Sequence, residues 1–463
     1  MKKERAGLMR RLGVGIEVMG IRRVVSVFYE GSSWRRFLLV ALSVVAPGFS
    51  RGDSWPVRQV LHVSVDGLAG IALRDYLDAS PNEFPTFNRL KAQGAWTFNA
   101  RCDDDNSYTL PNHASMLTGR PVLEKFVGAP PGWPHGLTID FDPGMPWTLH
   151  NIAIADPSYK ASVFDVAHDH GRTTAFFAAK RKFDFFLRSY DVDPEAPDLW
   201  RSDQGRSKID WRMVIDGTDV SLVRASDSNL VSAALSILAS NAPNYLFLHL
   251  ADPDITGHCY LWGSERYREA VREVDRQLGR LFDAIGSDSR LAHCTAVVLT
   301  SDHGGGDAWG GHDSPQAPPV FIIPMFLWGP GIPAGWDLYQ LFGNRGDPGS
   351  EKVGYEASVQ PLRNGDTGNM ALGLLGLPPI PGSSMIPRMR PRLALEWSAD
   401  GGRVLWPMDG SRHELQVCTD LQEAVWQMVR DGFGIRGAFH EYRIPGRDGA
   451  VPKFFRLQER IGQ

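Results

Sequence analysis

Tyr245-Leu-Phe-Leu-His-Leu250, then Ala251-Asp252-Pro253-Asp254, then a helical stretch opening after Ser264, then Ala296-Val-Val-Leu-Thr300: this is the segment that decides the fold. The first and last pieces are short, nearly continuous apolar runs bounded by polar residues, the pattern of strands buried on both faces. Between them Tyr267, Ala270, Val271, Val274, Leu278, Leu281 and Phe282 recur at three- and four-residue steps, while Arg266, Arg268, Arg272, Glu273 and Arg276 take the opposite face. Strand, helix, strand in that order is a βαβ unit, and such a unit requires a parallel pair.

The same alternation extends outward. Val60 to Val65, Thr173 to Ala179 and Val320 to Leu327 are further β-branched or apolar runs separated by amphipathic stretches. Several such units predict an α/β fold: a doubly wound, mostly parallel sheet with helices on both faces. Composition shifts near 378–392, where Pro378-Pro-Ile-Pro-Gly-Ser-Ser is followed by Pro387 and Pro391. Beyond it Leu393 to Trp397, Arg403 to Trp406, Glu414 to Cys418 and Lys453 to Leu457 read as short strands between turns, a small C-terminal β-rich module over 391–463.

At the other end Arg35 and Arg36 precede Phe37 to Ala46, a ten-residue run without a charge, closed by Pro47-Gly-Phe-Ser50. A positive flank, a short apolar core and a small-residue end describe an export leader over 1–50, and ten residues are too few to span a bilayer, which takes about 20. Its long flank implies either a start downstream of Met1 or an extended leader. The expectation is a protein exported to a periplasmic, cell-surface or extracellular location, with its main domain at 51–390 and no membrane span once the leader is gone. Cys102, Cys259, Cys294 and Cys418 form no CxxC pair, so no zinc ribbon or disulfide framework is indicated; one incidental disulfide is compatible with an oxidising compartment.

The chain has 463 residues, 43% hydrophobic and 22% charged, as average globular proteins do, which excludes a disordered or collagen-like polymer. Removing the nine Lys/Arg and three Asp/Glu of the first fifty residues leaves 40 basic and 50 acidic residues, a body of about −10. That balance lacks the basic footprint of a protein that binds nucleic-acid duplexes.

Three of the strands end in acids: Val65 in Asp66-Gly67, Leu250 in the run to Asp254, and Thr300 in Ser301-Asp302-His303-Gly304. The carboxyl ends of strands form the ligand crevice of an open α/β sheet, so acids distant in the chain can meet there. Histidines accompany them. His258 lies four residues after Asp254, His303 adjoins Asp302, and His312 follows Gly310-Gly311. Three carboxylates and three imidazoles are donors that suit Zn²⁺, and six ligands divide into two open sites. Tyr108-Thr109-Leu110-Pro111-Asn112-His113 opens a helix-like stretch ending at Thr118-Gly119, which places Thr109 at a helix N-terminus that favours an anion. A free threonine hydroxyl is a weak nucleophile at neutral pH, and contact with a dication is one way to activate it. His113 reads as structural, Asp103-Asp104-Asp105 as a solvated loop, and Trp262 and Trp309 as packing or pocket-lining residues.

Taken in order, Val65-Asp66-Gly67, Thr109-Leu-Pro-Asn-His113, Asp252-Pro-Asp254-x-x-Gly-His258, Ser301-Asp302-His303-Gly304 and Gly310-Gly-His312 resemble the alkaline phosphatase superfamily, and within it the nucleotide pyrophosphatase/phosphodiesterase branch. The resemblance covers roughly residues 59–390. It implies that Asp66, Thr109, Asp302 and His303 surround one metal and Asp254, His258 and His312 the other, the usual metal being zinc. It also implies a small phosphate-ester substrate, a phosphodiester or nucleotide pyrophosphate, cleaved through a phosphothreonine on Thr109. Two cations about 4 Å apart can clamp a phosphoryl group between attacking and leaving oxygens. One departure concerns the asparagine that this branch carries in a stretch starting His-Gly: His135-Gly136-Leu137-Thr138-Ile139-Asp140 lacks it. Phosphoryl-oxygen contacts are therefore expected from Asn112, Lys180 or the Thr109 backbone. The alternatives are a phosphomonoesterase or phosphonate hydrolase on the same metals, and a catalytically silent binding protein of the same fold.

Overall fold

The computed structural model describes residues 57–389 except 124–133, 154–156, 192–206 and 309, together with a strand pair at Ser26–Val27 and Val40–Ala41 and the strands between 394 and 459. The leader reading falls outside the described residues but for that strand pair, and Trp309 falls outside them too. No helix among the described residues is long and apolar enough to cross a membrane. Trp55–Arg390 forms one compact unit, and residues 1–54 with 391–463 form a second.

In the larger unit the elements are β1 (Gln59–Val65), α1 (Gly70–Ala79), α2 (Pro85–Gln93), β2 (Ala95–Arg101), α3 (Thr109–Thr118), α4 (Val163–Asp169), β3 (Thr174–Ala178), α5 (Asp184–Tyr190), β4 (Trp211–Val214), α6 (Val223–Asn241), β5 (Tyr245–Leu250), α7 (Asp252–Tyr260), α8 (Glu265–Ser287), β6 (Thr295–Thr300), β7 (Ile322–Trp328), β8 (Trp336–Asp337) and α9 (Thr367–Leu374). The eight strands lie in the order β8-β2-β7-β6-β1-β5-β3-β4. All neighbours are parallel except around β7, which runs against both β6 and β2. The expected mostly parallel sheet is present, with one strand reversed.

Alternation along the strands sends side chains into two cores. Leu61, Val63 and Val65 of β1 join Leu246, Leu248 and Leu250 of β5 and pack on α1, α2, α6 and α8. Val60, Tyr245 and Phe247 face the opposite side, against α3, α4, α5 and α9. Helix α8 is capped by the Ser264 side chain, which accepts from the Tyr267 N–H, and buries all seven residues of the predicted apolar stripe. Glu273, expected on the exposed face, is buried instead and its carboxylate accepts from Gln277 Nε2 at 2.6 Å. All four cysteines are free, so the incidental disulfide is not formed.

Among the described residues the second unit holds three antiparallel sheets, the pair Ser26–Val27 with Val40–Ala41 and two whose larger strands are Ala394–Ser398, Gly401–Pro407, His413–Cys418, Phe433–Arg436, Phe439–Ile444 and Phe454–Glu459. Val404, Trp406, Leu415, Tyr442, Phe455 and Leu457 form its own small core. Sequence reading located four of these strands and missed Phe433–Arg436 and Phe439–Ile444.

Candidate functional site

The site exists because β1 is flanked by β5 and β6 in parallel. Val65 is level with Leu250, and Ser64 with Thr300, so the residues that follow these three strands emerge side by side. Asp66 follows β1, its N–H donating to Leu250 O at 2.9 Å. The next residue, Gly67, has φ +68, and a Cβ there would lie 2.7 Å from Asp254 Cα; only glycine permits so close an approach of the two acid-bearing segments. Asp254 and His258 share one face of α7, a turn apart. The buried Asp227 carboxylate on α6 fixes that helix by accepting the Ala251 and Asp252 N–H groups at 3.0 Å each.

Thr109 begins α3, all ten residues of which are buried. Its hydroxyl lies 3.5 Å from His303 Nε2 and lines a cleft of about 440 Å³ together with Lys180, Asp254, His258 and His312. Two triads flank it, Asp66 with Asp302 and His303, and Asp254 with His258 and His312; within each, the donor atoms all lie within 4.8 Å of one another. His258 Nε2 and His312 Nε2 are 3.0 Å apart, and the His303 and His312 rings stack at 3.9 Å.

Each acid uses its two oxygens differently. Asp302 Oδ1 accepts the Gly67 and His303 N–H groups at 3.1 and 2.9 Å. Asp66 Oδ2 receives His249 Nε2 at 2.9 Å and Lys180 Nζ at 2.7 Å, and Asp254 Oδ2 receives the same Lys180 Nζ at 2.6 Å. The partner oxygens, Asp66 Oδ1, Asp254 Oδ1 and Asp302 Oδ2, are buried with no hydrogen-bond partner. Buried carboxylate oxygens without a donor are costly unless something cationic binds them. The imidazoles are pre-set to match. His303 Nδ1 donates to Gly304 O and His312 Nδ1 to Ser107 O, both at 2.8 Å, which leaves the Nε2 lone pair of each pointing at the free oxygens. His303 Nε2 is 3.6 Å from Asp66 Oδ1 and 3.2 Å from Asp302 Oδ2; His258 and His312 Nε2 are 3.4 and 3.8 Å from Asp254 Oδ1. These donors fit two divalent cations.

Electrostatics agree. Burial keeps both His303 and His312 below the usual imidazole range, His312 at about 4, so both are neutral at physiological pH and can ligate. Burial, reinforced by the charges of Asp66 and Asp254, pushes Asp302 well above the ordinary carboxylate range. Asp66 goes the other way: burial raises it, but Lys180 and the His249 hydrogen bond outweigh that and hold it low.

Seven of the residues singled out from sequence as metal ligands thus sit around one cleft, and Lys180 sits between the two triads. Asn112 does not face the cleft. Its Oδ1 accepts from Asp103 N and Asn364 Nδ2, and its Nδ2 donates to Asn106 O and Tyr108 O, so its bonding capacity is spent inside the protein and the expected phosphoryl contact is corrected to a structural role. His113 is structural as expected, between Ser64 Oγ and Thr109 O. Asp103, read as part of a solvated loop, is buried and gathers Asp105 N, Asn106 N, Val122 N and Tyr355 Oη. Asp140 closes the His135-Gly136 stretch; its Oδ1 accepts the Leu110 N–H and its Oδ2 pairs with Lys182 Nζ, each at 2.8 Å. Sequence reading missed His249. Its Nδ1 accepts the Ala179 N–H at 3.2 Å, so Nε2 carries the proton given to Asp66.

A mostly parallel sheet that presents a hydroxyl between two acid–histidine triads defines a class, the alkaline phosphatase superfamily of phosphoester hydrolases and transferases. Within that class the pattern of the type I phosphodiesterase/nucleotide pyrophosphatase family matches residues 60–312, 253 of the 463, and the chain belongs to that family. GPI ethanolamine phosphate transferase 1 of Yarrowia lipolytica is 22% identical over 328 residues, covering 69% of this chain and 32% of that protein. Human ectonucleotide pyrophosphatase/phosphodiesterase family member 1 is 26% identical over 248 residues, 52% of this chain and 23% of that protein. The chain spans at most about a third of the length of these relatives. The solved structure of murine ectonucleotide pyrophosphatase/phosphodiesterase 5 in complex with AMP shares 15% identity at a TM-score of 0.42, over 70% of this chain and 96% of that one.

Proposed function

We propose that the protein cleaves phosphodiester or nucleotide pyrophosphate bonds, with Thr109 as nucleophile between two divalent cations, zinc by donor type. One observation carries the reading: each of three buried acids keeps one oxygen without a hydrogen-bond partner, and imidazole Nε2 atoms with free lone pairs meet those oxygens. Asp66, Thr109, Asp302 and His303 would hold one cation, and Asp254, His258 and His312 the other. Bound there, such ions neutralise phosphoryl oxygens and lower the pKa of a hydroxyl or water.

The chain's own groups do the rest. Helix α3 projects Thr109 Oγ into the cleft with the positive end of its dipole behind it. Attack in line on phosphorus forms the Thr109 O–P bond as the bond to the leaving oxygen breaks, and water then cleaves the phosphothreonine. Lys180, held by Asp66 and Asp254, puts a fixed positive charge beside the reacting phosphoryl group. Asp140, tied to the amide after the nucleophile, offsets the charge of its ion-pair partner Lys182 at the same mouth and so withholds a free cation from substrates with a second charge on phosphorus, which supports diesters over monoesters. The name of the Yarrowia lipolytica relative, a phosphate transferase, supports a second reading, transfer of the phosphoryl group from Thr109 to an alcohol instead of water. Export through the leader read in residues 1–50 belongs to the same proposal.

The test is metal analysis of the purified protein with a panel of aryl phosphate monoesters, aryl diesters and nucleotides, after chelation and after zinc return. Two equivalents of metal and zinc-restored diester turnover are expected. A protein that retains no divalent metal and turns over no member of the panel defeats the reading.

A further inference from the structure

We infer that Trp262 is a positioning residue that sets the separation of the two triads, a role that rests on the di-cation reading above. Helix α7 ends at Tyr260, and Leu261 takes φ 71, a conformation that a branched side chain adopts only when its surroundings impose it. The turn it makes folds Trp262 back beneath the site.

There the indole touches all three strand-end segments that supply the acids. Its Nε1 donates to Gly67 O at 2.9 Å, one residue from Asp66. A Cβ on Gly257, the residue before His258, would stand 2.6 Å from the ring. A Cβ on Gly305, two residues past His303, would stand 2.1 Å from it. Both glycines are therefore required for the flat face of the ring to lie directly on backbone. The ring meets His258 edge-on at 5.1 Å and His312 at 6.0 Å. Tyr267 Oη, whose ring lies 6.1 Å away, donates to the same Gly67 O at 2.9 Å.

Asp66, Asp254 with His258, and Asp302 with His303 leave the sheet on a turn, on helix α7 and on a loop, and meet at Gly67, which lies against Asp254 and donates its N–H to Asp302 Oδ1. Parallel pairing aligns the strand ends, but it does not set the distance between the loops beyond them. Trp262 braces that distance alongside the Gly67 contacts and the Lys180 bridge, because one rigid plane is wedged among the three and bonded to one of them. Two cations must be held within about 0.5 Å of a productive geometry, a tolerance that calls for a rigid support behind the ligand-bearing segments. A tryptophan that merely filled the core would be satisfied by any large apolar ring; this one is bonded to a ligand-bearing turn and seated on glycines in the other two.

The test uses the full chain and two variants that disturb the contact from opposite sides, Trp262→Phe and Gly305→Ala, with Trp328→Phe as a control at a tryptophan that bonds Gln93 through Nε1 and pairs with Val297, toward the other end of the strands. Co²⁺ and Zn²⁺ binding are measured by chelator competition, the Co²⁺ visible spectrum reports coordination, and kcat and KM are measured separately. In folded Trp262→Phe and Gly305→Ala proteins, affinity at both sites is expected to fall together by about 10- to 100-fold. The Co²⁺ spectrum should change and kcat should drop more than KM moves, while Trp328→Phe matches wild type. Should Trp262→Phe fail to fold, Gly305→Ala decides alone by the same criteria. Variants that bind two equivalents with wild-type affinity and spectrum, or that lose only one site, overturn the inference and leave the di-cation reading intact. A wild-type protein that binds neither metal overturns both.

Discussion

Replacing Lys180 by methionine keeps most of the side chain's apolar length and removes the charge that lies between Asp66 and Asp254. The ammonium is buried, 2.7 Å from one carboxylate and 2.6 Å from the other. At an effective dielectric of about 20, one such contact is worth about 6 kcal/mol before the cost of burying the ions. Desolvation takes back much of that, and breaking a buried pair by deleting one partner costs about 3–5 kcal/mol in practice. That loss belongs to the protein without divalent cations, where Lys180 is the main positive charge against three clustered acids. With cations bound, the acids keep other partners, and the loss should shrink to about 1 kcal/mol by linkage. Urea denaturation of wild type and Lys180→Met, each in chelator and in excess zinc, reads both quantities. An equal loss in the two conditions would refute the reasoning by showing that Lys180 contributes only its stem. So would a loss below about 1 kcal/mol in chelator.

Other outcomes follow from the same geometry. Thr109→Ala should retain both metals and lose turnover by at least about 10³-fold, while Thr109→Ser keeps measurable activity; a Thr109→Ala protein as active as wild type removes the nucleophile from the scheme. Asp140→Asn should raise the monoester-to-diester ratio of kcat/KM by about tenfold, since a negative charge leaves the mouth of the cleft; paired assays with aryl substrates check it, and an unchanged ratio counts against the charge argument. Burial holds His62 and His135 down at about 3. Unfolded histidine titrates near 6.5, so the stability that these neutral rings contribute is complete above that pH and is lost as pH falls from about 6.5 toward 3. His135→Gln should flatten the fall by about one proton's worth, about 1.4 kcal/mol per pH unit, in denaturation curves taken between pH 6.5 and 4; an unaltered slope assigns the acid lability elsewhere.

The strands around the site were legible because a fully buried parallel strand leaves a compact mark, an uninterrupted apolar run closed by a polar turn. The acids after Val65, Leu250 and Thr300 were legible for the same reason, since each stands where such a run ends. His249 was not. It is one polar residue inside an apolar run, and its role appears only when Tyr245, Phe247 and His249 are seen to share the face that carries β1's Ser64 and its contact with His113. Asn112 was misassigned because proximity in sequence to a nucleophile does not reveal that Asn364, 252 residues away, already holds its amide. Lys180 was visible as a cation after a strand, but its two partners come from other strands. Phe433–Arg436 and Phe439–Ile444 were missed because glycine and charged residues interrupt their apolar alternation.

The alignment of Val65 with Leu250 and of Ser64 with Thr300 also bears on how the protein acquires its activity. A slip of β1 by one residue would displace Asp66 about 3.3 Å along the strand and turn it toward the opposite layer of helices, with most of the hydrophobic burial still available. A collapsed, helix-rich intermediate could therefore look native by circular dichroism and yet do no chemistry. During renaturation, recovery of turnover should trail recovery of ellipticity, which makes the assay a report on whether the three central strands have paired correctly.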